Sequence, residues 1–418
     1  MNSKTFLAAA LSSAFLILAN PSTTSGAGEG ESALKSLRDW ISSTGSVPDS
    51  APGGDWTKAD LTRAESDEAA KLLWKWFTSL EHKSLRQAYE NKKLTHGEHV
   101  MPFEFRTFGE KPDGGRSLFI SMHGGGGAPA RVNDQQWKNQ IGLYEPTEGI
   151  YVAPRAPTDT WNLWHQSHID PLFADLILMM VLFEDVNPDR VYLMGYSAGG
   201  DGVYQLAPRM ADSLAAAAMM AGHPNETKPD GLRNLPFALY MGGKDSAYQR
   251  NEIAAQWKTK LADLAESDPG AYIHRVVIYP EFGHWMQRKD AEALPWMMKY
   301  TRNPHPTKII WLQDDVTHDA FYWLGVPQNQ TDLPERPLVT AEIDRNSIKI
   351  ESEQLDGITI FLNDQIADLD EDITISFNGT SRTLKPQRTI GNLIRTLISR
   401  RDPAYLFPAV IESQSAAE

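Results

Sequence analysis

The stretch RVYLMGYSAGGDGV, residues 190–203, ends an apolar run on one serine set among glycines. RVYLM reads as a buried strand, and GGDGVYQLAPRMA opens a helix whose Val203 and Leu206 can face a core. A strand that passes into a helix through Gly195, Tyr196, Ser197, Ala198 and Gly199 must turn sharply. That turn is a nucleophile elbow: it strains the serine backbone and exposes Oγ at the tip, and the glycines remove Cβ atoms that would collide. Ser197 is the candidate nucleophile.

A serine hydroxyl attacks poorly unless a base takes its proton, and the base needs an acid to orient it. Behind an elbow these partners follow in the order Ser, acid, His, each on a loop after a later strand. FALYMGGKDSAY (237–248) supplies Asp245 just past an apolar strand, and HRVVIYPEFGHWM (274–286) supplies His284 just past the next. Both fall at the strand ends where ligands bind in open α/β sheets. Competing residues fit less well. Asp201 sits in the helix after the elbow, Asp268 precedes a Pro-Gly turn and Glu281 is too near His284 to come from a separate strand. His274 lies within a strand, His305 in a linker and His318 beyond it.

The oxyanion formed by attack on a carbonyl needs donors, each worth about 3 kcal/mol in the barrier. SLFISMHGGGGAPA (117–130) places Gly124 to Gly127 after what should be the third strand, so the N–H groups of this loop can act beside the N–H of Ala198. No Gly-Lys-Ser/Thr follows and the spacing does not match a dinucleotide fingerprint, which disfavours phosphate. His123 is read as a brace for this loop. Trp161, Trp164, Tyr196 and Trp285 are candidates to line a substrate pocket. In WNLWHQSHID, the spacing of His165, His168 and Asp170 can place two imidazoles on one helical face, but nothing completes a metal site; Asp170 reads better as a helix N-cap, and no metal is expected.

The chain has 418 residues, enough for a large domain and a smaller one. A net charge of −14 repels a phosphate backbone or an anionic membrane surface, so nucleic acid is not an expected partner. The N-terminus reads as a secretory signal over 1–27: Lys4, an apolar stretch from Phe6 to Ala19, then the small pair Ser25 and Ala27. An exported protein, periplasmic or secreted, with no lasting membrane span is expected. With no cysteine there is no disulfide and no thiolate nucleophile. Residues 28–100 form a spacer and a helical extension, with Leu72, Leu73, Trp76, Phe77 and Leu80 at helical spacing and Ser66 as candidate N-cap. Short apolar strands alternate with helices over 101–303, implying a mostly parallel sheet covered on both faces. RNPHPTK (302–308) marks a boundary, and 304–418 reads as a β-rich, sandwich-like domain with an Asn378-Gly379 hairpin.

On HGGGGA (123–128), NPDRVYLMGYSAGGDGV (187–203) and EFGHW (281–285), residues 101–300 resemble the α/β-hydrolase superfamily. Within it they resemble the secreted esterases grouped with polyhydroxybutyrate depolymerases and feruloyl or acetylxylan esterases. The resemblance implies an α/β-hydrolase fold, a Ser197, Asp245 and His284 triad, an oxyanion hole at Ala198 with Gly125 or Gly126, no cofactor, and a small or polymer-borne ester substrate. The terminal regions lie outside the shared core. The alternatives are a serine peptidase like the prolyl oligopeptidases, which usually carry a large N-terminal propeller, and a catalytically silent binding or adhesion protein on the same scaffold.

Overall fold

The computed structural model describes residues 26–327 and 336–414. The expected signal segment lies outside the described residues except for Gly26 and Ala27, which open the first helix, α1 (Gly26–Ser43). Helices α2 (Arg63–Ser79) and α3 (Lys83–Glu90) follow. The stripe on α2 is core: Leu73, Trp76 and Phe77 are buried. Its N-cap is not Ser66 but Thr62, which forms a capping box with Glu65, while Ser66 is buried one turn inside the helix.

An eight-stranded sheet comes next. In chain order its strands are β1 (Lys93–His96), β2 (His99–Phe108), β3 (Arg116–Met122), β4 (Gly149–Pro154), β5 (Val186–Tyr196), β6 (Ala216–Met220), β7 (Phe237–Gly242) and β8 (His274–Tyr279). In space the order is β1-β2-β4-β3-β5-β6-β7-β8. The first two strands pair antiparallel to each other and β2 pairs antiparallel to β4; every later pair is parallel. The sheet thus begins near residue 93, before the expected boundary at 101, because the HGEH turn folds β1 back onto β2. Strands β4, β6 and β7 are buried at every position, as strands covered on both faces must be. The connecting helices are α4 (Ala130–Ile141), α5 (Ile169–Phe183), α6 (Ala198–Arg209), α7 (Arg250–Ser267) and the short α8 (Ala293–Met297). A largely parallel sheet with an antiparallel edge and a serine turn between β5 and α6 is the α/β-hydrolase fold.

Among the described residues the C-terminal region holds nine more strands: β9 (Lys308–Leu312), β10 (Ala320–Phe321), β11 (Leu324–Gly325), β12 (Leu338–Asp344), β13 (Ser347–Glu351), β14 (Gly357–Leu362), β15 (Ile373–Phe377), β16 (Thr380–Leu384) and β17 (Ala409–Gln414). They form two sheets, β10-β11-β14-β17 and β16-β15-β13-β12-β9. Trp311 of the second stacks on Phe321 of the first at 5.6 Å. Asn378 and Gly379, at φ 48° and 80°, make the expected two-residue turn and set Phe377 opposite Thr380. Helix α9 (Ile390–Arg400) is capped by Thr389, and its Ile390, Leu393, Ile394 and Leu397 pack with Leu34, Leu37, Leu73 and Phe77 of α1 and α2. The two terminal regions therefore share one apolar cluster, which reaches the sheet domain through Leu178 of α5.

Arg302 ties these parts together. Its guanidinium, almost fully buried, pairs at 2.7 Å with both Asp189 in β5 and Asp402 after α9. Arg302→Met keeps the volume but strands Asp402 without its cation. We expect this variant to lose about 3–5 kcal/mol, read as a lower urea midpoint.

Candidate active site

Ser197 sits between β5 and α6 at φ 59°, ψ −121°, a backbone region that an L-residue adopts only when its surroundings force it. The forcing comes from close backbone contacts that only glycine permits. A Cβ on Gly195 would lie 2.2 Å from the Gly199 carbonyl oxygen, and one on Gly199 would lie 2.2 Å from that of Met122. The Ser197 N–H donates to the Met220 carbonyl at 2.9 Å, which fixes the turn to β6.

His284, on the loop after β8, places Nε2 2.9 Å from Ser197 Oγ. Its Nδ1 lies 2.7 Å from Oδ2 of Asp245 on the loop after β7. The Asp245 carboxylate is buried, and Arg250 stands 3.9 Å from its other oxygen. With Nδ1–H donating to the carboxylate, Nε2 is left as the acceptor that faces the serine hydroxyl. The three residues expected from strand order thus meet in one hydrogen-bonded line. The weaker candidates lie elsewhere: Asp201 accepts from the His223 N–H at 2.6 Å, and burial raises its carboxyl to about 6.

The glycine loop passes directly over the elbow; a Cβ on Gly124 would lie 3.1 Å from Ser197 Cβ. Buried side chains hold its shape. Neutral His123 donates from Nδ1 to the Gly124 carbonyl at 2.6 Å and accepts at Nε2 from the Ala156 N–H at 3.1 Å. Asn133 of α4, fully buried, accepts from the Gly126 N–H and donates back to the Gly126 carbonyl, both at 3.0 Å. Of the two loop candidates, the Gly126 amide is already engaged by Asn133. Gly125, at φ +115°, remains on the loop side. Ala198 remains on the elbow side, as the first residue of α6, whose N–H has no acceptor within the helix. Asn133 carried no signal in the sequence, where it is one polar residue in an ordinary helical stretch.

A cavity of about 580 Å³ opens at Ser197, lined by Gly124, Gly125, Tyr196, His284 and Trp285 and by Val132, Gln136, Asn139, Gln140 and Leu143 from the α4 side. Trp285 is half exposed and lines it. Trp161, 62% exposed, does not; its backbone walls the outer side of the glycine loop, 3.5 Å from a Cβ on Gly126. Trp164 is a correction. It is wholly buried, and its indole N–H donates to the His123 carbonyl at 2.9 Å, so it supports the loop from beneath and cannot touch substrate. The Tyr196 ring borders the cavity while its hydroxyl is engaged by the His284 loop.

His165, His168 and Asp170 do not converge as metal ligands. Both Asp170 oxygens are taken up by Arg209, and His318 also bonds to one of them; His168 stacks on His99 at 3.7 Å. Nor does Asp170 cap α5; the helix begins one residue earlier and Asp170 is buried in its first turn. Among the described residues, Glu226, Asp314 and Asp315 bring carboxylate oxygens within 4.8 Å of one another, but none of them lines the cavity at Ser197.

No family model matches the chain, and no curated protein matches it. Solved structures do. A thermostable esterase is 17% identical, covering 50% of this chain and 62% of its own, at a TM-score of 0.35. A ferulic acid esterase is 14% identical over 50% of this chain and 96% of its own, at 0.33. An acetyl xylan esterase from Aspergillus awamori is 11% identical over 49% and 97%, at 0.35. This chain thus spans less than two thirds of the first of them.

Burial holds His123 at about 4, far below the ordinary imidazole value. The fold keeps this ring neutral while the unfolded chain protonates it near 6.5, so between those values the unfolded state binds more protons. Its contribution is full above pH 6.5 and is lost as pH falls toward 4, on the order of 3 kcal/mol. His123→Asn should flatten that part of the stability profile, measured by urea unfolding at pH 7 and 4.5.

Proposed function

We propose that this protein is an exported serine hydrolase that cleaves carboxylic esters through an acyl-enzyme on Ser197. The observation that carries the reading is the unbroken line Ser197 Oγ, His284 Nε2, His284 Nδ1, Asp245 Oδ2 at 2.9 and 2.7 Å, beside a glycine loop and a cavity. His284 takes the serine proton as Oγ attacks the ester carbonyl, and buried Asp245 stabilises the imidazolium that results. The Gly125 and Ala198 amides receive the oxyanion. The imidazolium then protonates the departing alcohol. Water, deprotonated by the same imidazole, attacks the acyl-enzyme and releases the acid with Ser197 restored.

The cavity mixes apolar and amide side chains, which suits an acyl or alcohol group with both kinds of surface. Export rests on the N-terminal apolar segment. Among the described residues no helix is long and apolar enough to cross a membrane.

A fluorophosphonate probe should label the folded protein on Ser197, and Ser197→Ala should abolish labelling and lower ester turnover by at least roughly 10⁴-fold. Absence of labelling in folded wild type at neutral pH would favour the silent scaffold, and turnover of peptides but not esters would favour a peptidase. Gly125→Ala puts a methyl 2.0 Å from Asn133 Oδ1 at a positive φ. Its kcat should fall about 10²-fold or more if the Gly125 amide receives the oxyanion.

A further inference from the structure

We infer that Tyr196 is a positioning residue whose hydroxyl locks the loop carrying His284 to the strand carrying Ser197; the inference rests on the triad reading above. Tyr196 immediately precedes Ser197 at the end of β5 and is only 7% exposed. Its hydroxyl donates to the main-chain carbonyl of His284 at 2.6 Å and accepts from the main-chain N–H of Met286 at 3.0 Å. One phenol therefore grips both ends of the tripeptide His284-Trp285-Met286. Its ring meets the imidazole edge-on at 6.0 Å and packs against Trp285 at 5.5 Å.

The loop needs such a grip. It runs from the end of β8 at Tyr279 to a short turn of helix at Lys289, with no regular structure between, and it carries Gln287 and Arg288 at positive φ. Upstream it is held where the Lys244 N–H donates to the Phe282 carbonyl at 2.9 Å. The His284 side chain itself is 42% exposed, so packing alone does not fix it. A main-chain shift near 1 Å would carry Nε2 beyond hydrogen-bond reach of Oγ, and misplacements of that size cost about 10²-fold in rate. Because Tyr196 and Ser197 are adjacent on a buried strand, the nucleophile and the anchor of its base move as one body. Tyrosine is then required between Gly195 and Ser197 for its oxygen, where a wall of the cavity would need only a ring.

Tyr196→Phe tests this because it keeps the ring and removes both hydrogen bonds. On an ester substrate we expect kcat to fall about 10- to 100-fold with KM within twofold of wild type, and fluorophosphonate labelling to slow by a similar factor. A kcat within twofold of wild type, or a change confined to KM, would overturn the inference and leave the triad reading standing. Wild type that neither turns over esters nor takes the label would instead sink the triad reading. In that event, or if the variant does not fold, amide hydrogen exchange on wild type decides the clamp. The Met286 N–H should be protected like the amides of β5, and exchange at the rate of an open loop rules the clamp out.

Discussion

The backbone of Ser197, held at a positive φ, is the constraint on which the rest of the site depends. Strain of this kind costs on the order of 1–3 kcal/mol and persists only where neighbours over-determine it. Here the neighbours are main chains in near contact. The Gly195 and Gly199 backbones touch, Gly199 lies against Met122 at the end of β3, and Gly200 lies against Met220 at the end of β6. Three parallel strands thereby press on one turn, and a side chain at any of these glycines would push them apart. The packing of the sheet fixes the backbone from which the hydroxyl is presented.

Everything else at the site is arranged around that fixed point. The glycine loop is shaped from behind by His123, Asn133 and Trp164, all buried and none in the cavity. His123 shows why such supports are sensitive to environment. Both ring nitrogens are committed, one as donor and one as acceptor, so a second proton would set an N–H against the Ala156 N–H. Burial and hydrogen bonding therefore select the same neutral tautomer.

The regions outside the sheet domain are bound to it in two physical ways. Apolar packing joins α1, α2 and α9 into one cluster, so the two ends of the chain stabilise each other. The core of the sheet domain also runs on into the C-terminal strands through Trp311, Phe321, Tyr322 and Trp323, and ion pairs add to this packing: Arg302 with Asp189 and Asp402, Arg400 with Asp212, and His318 with the Asp170 that Arg209 holds. Such pairs add little net stability against an apolar alternative, but removing one partner is costly, which makes the docking geometry specific.

From residues alone one could read the fold class, the sharp serine turn and the strand-end positions of Asp245 and His284, because these depend on local periodicity, on glycine spacing and on the strand order of an α/β sheet. The Asn378-Gly379 hairpin was legible for the same reason, since its backbone needs two residues that tolerate positive φ. Local patterns could not show which amide of the glycine loop is free, because Asn133 reaches Gly126 only after α4 folds back over the strand ends. Nor could they separate Trp161, Trp164 and Trp285, which are alike in sequence but respectively face solvent, core and cavity. The caps at Ser66 and Asp170 were misplaced because each side chain found a buried position within the first turn or two of its helix. Residue type and spacing set which chemistry the chain can perform. Which hydrogen-bond donors and acceptors remain unpaired to perform it is a property of contacts between distant segments, and only the packed structure decides those.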